Sequence, residues 1–102
     1  MRVLVTGVGT QWGSRLALKL EERADTEVII GLDTDSPRLQ LRRTEFVRAD
    51  SNFEILARIV DAARIDTILH THMIVDSTIA SPRHIHEVNV IGTMNLLAAA
   101  GA

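Results

Sequence analysis

The chain has 102 residues, 46% of them hydrophobic and 24% charged, a net charge of −2, no cysteine and no basic run longer than Arg42-Arg43. A chain of this size holds one modest core in one layer system, and its charge balance carries no electrostatic footprint for nucleic acid. Without cysteine there is no disulfide, thiolate or cysteine-zinc chemistry; with no apolar run near the roughly 20 residues that span a bilayer and too short an apolar start for a signal peptide, the expectation is a cytoplasmic protein without a membrane partner.

Short β-branched runs alternate with stretches of helical period along the chain. Val3-Leu4-Val5 predicts a first strand and leads into a glycine-rich loop. Leu16, Ala17 and Leu20 then fall at helical spacing, opposite Arg15, Lys19, Glu22 and Arg23, and predict an amphipathic first helix. The run from Val28 to Leu32 predicts a second strand, residues 36–43 one short helical turn, and Glu45-Phe46-Val47 a third strand. Ser51 with Glu54 reads as a capping box for a helix over 52–63, buried through Ile55, Leu56, Ile59 and Val60. Thr67 to His70 predicts a fourth strand. Ser81-Pro82 then sets an N-cap with proline at the first helical position, and the last helix runs to a stop at Gly101.

The first, second and fourth runs are apolar on both faces, as parallel strands covered on both sides are. The order of elements predicts an α/β fold with a doubly wound parallel sheet in strand order 3-2-1-4. Ligands in such sheets bind at the carboxyl ends of strands beside the switch point, which directs attention to the loops after Val5, Leu32, Val47 and Thr71.

The loop Thr6-Gly7-Val8-Gly9-Thr10-Gln11-Trp12-Gly13 joins a strand to a helix. A nucleotide pyrophosphate needs that geometry: a tight turn, N–H groups with no side chain in the way, and the positive end of a helix. Asp33 ends the second strand twenty residues after Gly13, where a carboxylate accepts hydrogen bonds from ribose hydroxyls and repels an extra 2′-phosphate, favouring NAD over NADP. An ordinary glycine-rich turn and a turn aspartate before Pro37 are the plainer readings of the same residues. Asp50 or Ser51 serves equally as a helix cap. His70 and His72 fall on one strand face, and with Asp76 they form a conceivable metal set, a less common use of strand-end histidines than packing or cofactor contact.

Thr6, Gly7 and Gly13 match the T-G-x-x-G-x-x-G opening of the extended short-chain dehydrogenase/reductase family, the NAD-dependent epimerases and dehydratases, which this chain resembles; Thr10 stands at the middle glycine, with Gly9 one place early. Asp50-Ser51 looks like the family's aspartate that contacts the adenine amino group, and His70, followed by Thr71 and His72, like its histidine beside the nicotinamide ribose. The run from Asn89 to Leu97 is similar to the signature N-V-x-G-T-x-N-L-L, in which the asparagine, here Asn89, orders the catalytic region and Gly92 lets helix and sheet approach closely.

The matches cover the front part of the family's fold only. Its Tyr-x-x-x-Lys acid/base pair lies downstream, and this chain has no tyrosine and a single lysine, Lys19. The resemblance therefore implies one partial, Rossmann-like NAD-binding domain over 1–102, inactive alone, whose open fourth-strand edge pairs with the rest of the fold or with a second copy. The rival reading is a non-catalytic α/β interaction or regulatory module with a degenerate nucleotide site.

Overall fold

The computed structural model describes residues 1–76 and 78–101. Strands β1 (Arg2–Thr6), β2 (Val28–Asp33), β3 (Thr44–Arg48) and β4 (Thr67–His70) form one parallel sheet in the order β3-β2-β1-β4. Helix α1 (Gln11–Glu21) follows β1 and α2 (Phe53–Ala62) follows β3; after β4 come α3 (Pro82–His86), a π-helical turn (Glu87–Ile91) and α4 (Gly92–Ala100). The fold class and strand order are those read from the alternation of apolar runs. Among the described residues no helix is long and apolar enough to cross a membrane.

Strand alternation divides the core in two. Leu4, Ile30 and Leu32 point to the face covered by Leu56 of α2 and by Leu96 and Ala99 of α4. Val3, Val5 and Ile29 point to the other face, where Leu20 of α1 meets them. This is the period-two pattern of a sheet buried on both sides. Beyond these clusters the edges thin out: β4 is only half-buried and pairs with β1 alone among the described residues.

Four local expectations are corrected. The buried face of α1 is Gly13, Ser14, Ala17 and Leu20, while Leu16 is exposed. Burial follows the 13, 17, 20 row because the glycine loop hands the chain to α1 with Gly13 already against Gly7. Asn52, not Ser51, caps α2: its side chain accepts from the N–H groups of Glu54 and Ile55. Residues 36–43 form no helical turn. Their backbone is bonded to α1 instead, Arg38 N–H to Ser14 Oγ and the Arg42 and Arg43 N–H groups to the Glu21 carboxylate. The last helix does open on Ser81 and Pro82, but a π turn interrupts it before Gly92.

Glu21 fixes the entry to β3. Its carboxylate accepts from the Arg42, Arg43 and Thr44 N–H groups and from the Thr44 hydroxyl at 2.7 Å. Burial works to raise its pKa, and the Arg42 N–H, the Thr44 hydroxyl and the remaining N–H groups outweigh it, holding the carboxyl below the usual glutamate value. A depressed carboxylate gives stability that is present above its unfolded pKa and lost as pH falls through the folded one. Glu21→Ala is expected to lower stability to urea by about 1–2 kcal/mol at pH 7 and to flatten the acid limb of the stability curve, as measured by circular dichroism melts across pH 3 to 7.

Candidate functional site

The carboxyl ends of β1, β2 and β4 lie side by side, and the loop after β1 crosses all three. Gly7 donates its N–H to Leu32 O at 2.8 Å and turns the chain with φ of +78°. A side chain there is strained by the backbone angle, and its Cβ would stand 2.5 Å from the backbone nitrogen of His72. Val8 then inserts its fully buried side chain over Gly31 of β2. Gly13 packs directly on the carbonyl of Gly7, leaving no room for a Cβ.

Thr10 is the N-cap of α1. Its hydroxyl donates to Gly7 O at 2.7 Å and accepts from Gly13 N–H at 3.0 Å, while its carbonyl accepts from Ser14 N–H. A threonine is thus accommodated where the family writes glycine, because the position is a cap. Among the described residues the N–H groups of Gln11 and Trp12 meet no acceptor, so two donors stand free at the positive end of α1. The Trp12 side chain is 74% exposed and takes no part in the core.

Asp33 is 3% exposed, a carboxylate buried at the end of β2. Its Oδ2 accepts from Gly9 N–H at 2.8 Å, and Oδ1 accepts from Asp35 N–H at 3.1 Å. The acid and the glycine loop are therefore one bonded unit. Arg38 adds to it by donating Nε–H to Gly9 O at 2.9 Å.

On the β4 side, Thr71 donates its hydroxyl to Thr6 O at 2.7 Å and so holds the end of the strand against the glycine loop. His70 lies between two threonines, Nδ1 at 2.5 Å from Thr6 Oγ1 and Nε2 at 2.8 Å from Thr93 Oγ1. The Thr93 hydroxyl donates to Asn89 O, so its oxygen accepts Nε2–H and the Thr6 hydroxyl donates to Nδ1. With both nitrogens used in this way, His70 is not available to share an ion with His72. Asn89 exchanges two hydrogen bonds with the backbone of Ile74, at 2.7 and 2.8 Å, and ties the segment after β4 to the helix.

Asp50 and Ser51 lie on the loop after β3, at one wall of a cavity of about 460 Å³ whose other walls include His72, His84, Glu87 and Asn95. Asn95 donates to Ser51 O at 2.9 Å, and a Cβ at Gly92 would stand 3.3 Å from Ser51 Cβ, so the close approach made there is to this loop. Of the residues read as a site, Gly7, Gly9, Gly13, Asp33 and Thr71 are bonded or packed together, Asp50 and Ser51 line the cavity with His72, and Asn89 is bonded to Ile74 after β4. Reading the sequence missed Ser14, whose hydroxyl donates to Val8 O at 2.6 Å, and the anchoring roles of Thr93 and Asn95. The helical offset of Thr93 from Asn89 was the available signal for one of them.

The sequence profile of the NAD dependent epimerase/dehydratase family matches residues 3–102. The chain belongs to that family. Among solved structures it resembles UDP-glucose 4-epimerase from Thermotoga maritima, with a TM-score of 0.86 and 25% identity over 98% of this chain and 34% of that one. A variant of uronate dehydrogenase from Agrobacterium tumefaciens complexed with NAD has a TM-score of 0.78 and 27% identity, covering 97% of this chain and 36% of that one. An uncharacterized protein of Mycobacterium tuberculosis is 30% identical over 95% of this chain. The chain spans 27% of the length of that curated relative.

Within this family member His70 links stability to mild acid. Burial lowers its pKa and the neighbouring His72 lowers it further. A histidine depressed in this way contributes stability that is present above the ordinary value of about 6.5 and is lost as pH falls through the folded value. Urea denaturation is expected to show stability falling from pH 7 to pH 5, above the range where carboxylates titrate. His70→Ala is expected to cost about 1–3 kcal/mol at pH 7 by leaving the Thr6 hydroxyl without its acceptor and the Thr93 oxygen without its donor, and to remove most of that slope.

Proposed function

We propose that this chain is the NAD-binding portion of an oxidoreductase of the epimerase/dehydratase kind, a single partial domain over 1–102. The observation that carries the reading is the 2.8 Å bond from Gly9 N–H to Asp33 Oδ2, which couples the glycine loop to an acid at the end of β2. The fit to a dinucleotide rests on three features. Gly7 and Gly13 let the loop close tightly on itself and on Thr71 and His72, where a Cβ would clash, Gln11 and Trp12 offer free N–H groups to a pyrophosphate, and Asp33 holds a carboxylate ready for ribose hydroxyls. Asp50 supplies an acceptor for an adenine amino group beside Ser51, and His70, Thr71 and His72 line the approach at β4. Asn89 acts as a positioning residue for the segment after β4. The NAD complex of the Agrobacterium uronate dehydrogenase supports the choice of cofactor.

NAD, when bound, accepts or returns a hydride; this chain's residues bind and orient it. The tyrosine and lysine that the family uses for proton transfer at a substrate hydroxyl have no counterpart here, since the chain has no tyrosine and its one lysine, Lys19, is exposed on α1. The half-buried edge of β4 and the exposed Met94 and Leu97 of α4 support a place for the remainder of a family-length fold. The same open surface favours the second reading, an interaction module, which predicts no saturable NAD binding.

Calorimetry is expected to give NAD a smaller Kd than NADP, because a 2′-phosphate would meet the carboxylates of Asp33 and Asp35. Asp33→Ala should weaken NAD binding about tenfold and shrink the gap; equal affinities in the parent protein would sink the assignment of Asp33. The 102-residue chain is expected to show no turnover of nucleotide sugars with NAD, and turnover surviving rigorous purification would reveal a catalytic group in it.

A further inference from the structure

The residues assigned to the two ends of an adenosine do not line one cavity. The 460 Å³ cavity is lined by Asp50 and Ser51, but among the described residues neither the glycine loop nor Asp33 lines it. What stands between is the imidazole of His72. Its Nδ1 is 3.3 Å from Ser51 Oγ on the cavity side, and its Nε2 is 4.0 Å from Asp33 Oδ1 on the glycine-loop side. The ring is only 15% exposed, so it fills this space.

The backbone cannot withdraw to make room. The nitrogen of His72 is packed on Gly7, and the preceding Thr71 is bonded to Thr6 O through both its N–H and its hydroxyl. The side chain itself is lightly held. One contact lies at the long end of the hydrogen-bond range and the other beyond it, in contrast to His70, whose two nitrogens are bonded at 2.5 and 2.8 Å.

We infer that His72 is a swinging partition: its ring divides the adenosine site and rotates about its side-chain bonds to let a dinucleotide reach Asp33 and Asp50 together. The inference rests on the dinucleotide reading of the site and adds a gating residue to it. Binding then carries the cost of opening, since the apparent affinity is the intrinsic affinity reduced by the fraction of molecules already open. Removing the ring removes that cost. If about one molecule in ten is open, His72→Ala binds NAD about tenfold more tightly than the parent, whereas loss of an ordinary contact residue weakens binding.

The test is NAD titration of the parent, His72→Ala and Asp33→Ala chains by calorimetry, each checked for cooperative melting, with NMR of the parent ring. Tighter binding by His72→Ala, by about threefold or more, supports the partition. Equal or weaker binding by His72→Ala, with Asp33→Ala still loosened relative to the parent, overturns the partition and leaves the nucleotide reading standing. Binding by none of the three removes the nucleotide reading and the partition with it. Should His72→Ala fail to fold, the parent decides: a nuclear Overhauser contact between the His72 ring and the Ser51 methylene that disappears at saturating NAD supports the swing, and one that persists unchanged overturns it.

Discussion

A carboxylate buried at the end of a strand is costly unless donors surround it, and Asp33 meets that demand with the backbone of another segment. Its bond to Gly9 N–H obliges the loop after β1 to fold back over β2, and Gly7 reinforces the crossing by donating to Leu32 O. Val8 can then fill the space over Gly31, and α1 begins at a fixed place and angle. The position of α1 in turn sets where Ser14 and Glu21 can hold the segment from Arg38 to Thr44, which leads into β3. One satisfied charge thus propagates through the register of half the sheet.

The opposite half is organised by neutral groups. Thr6, His70, Thr93 and Asn89 form a chain of hydrogen bonds from the central strand to the helix, and Asn89 extends it to Ile74. Thr6 donates to His70, His70 to Thr93 and Thr93 to the Asn89 carbonyl, so the chain has a direction as well as a geometry. It gives β4, which has only one strand neighbour among the described residues, a tether that the sheet ladder alone does not supply.

Strands and their order were readable because both depend on apolar runs, and burial on two faces leaves such runs unbroken in Val3 to Val5 and Val28 to Leu32. The glycine loop was readable because its backbone geometry restricts residue choice. What escaped was whatever depends on competition between similar side chains. Ser51 and Asn52 both make good caps, and the sequence pattern favours the serine with Glu54, yet Ser51 is drawn off toward Asn95 and His72. Leu16 obeys helical periodicity as well as Ala17 does, and only the docking angle of α1 decides between them. Residues 36–43 were misread because their donors are satisfied by Ser14 and Glu21, contacts that span more than twenty positions and leave no local pattern. The end of α2 was equally silent: Arg64 takes a φ of 51° there, a role usually marked by glycine.

The π turn at Glu87–Ile91 gives the long helix after β4 a mechanical character of its own. A turn closed by i to i+5 bonds holds one residue more than an α turn, so the two α segments on either side are out of phase by about 100°. The first segment directs His84 toward the cavity, while the second directs Leu96 and Ala99 into the core. The element behaves as two rods joined by a collar: the first reaches the cavity through His84, and the second reaches it through Gly92 and Asn95 while sending Leu96 and Ala99 into the core. The collar sets the phase at which the second rod places Asn95 against Ser51 and, on its other side, Leu96 and Ala99 in the core.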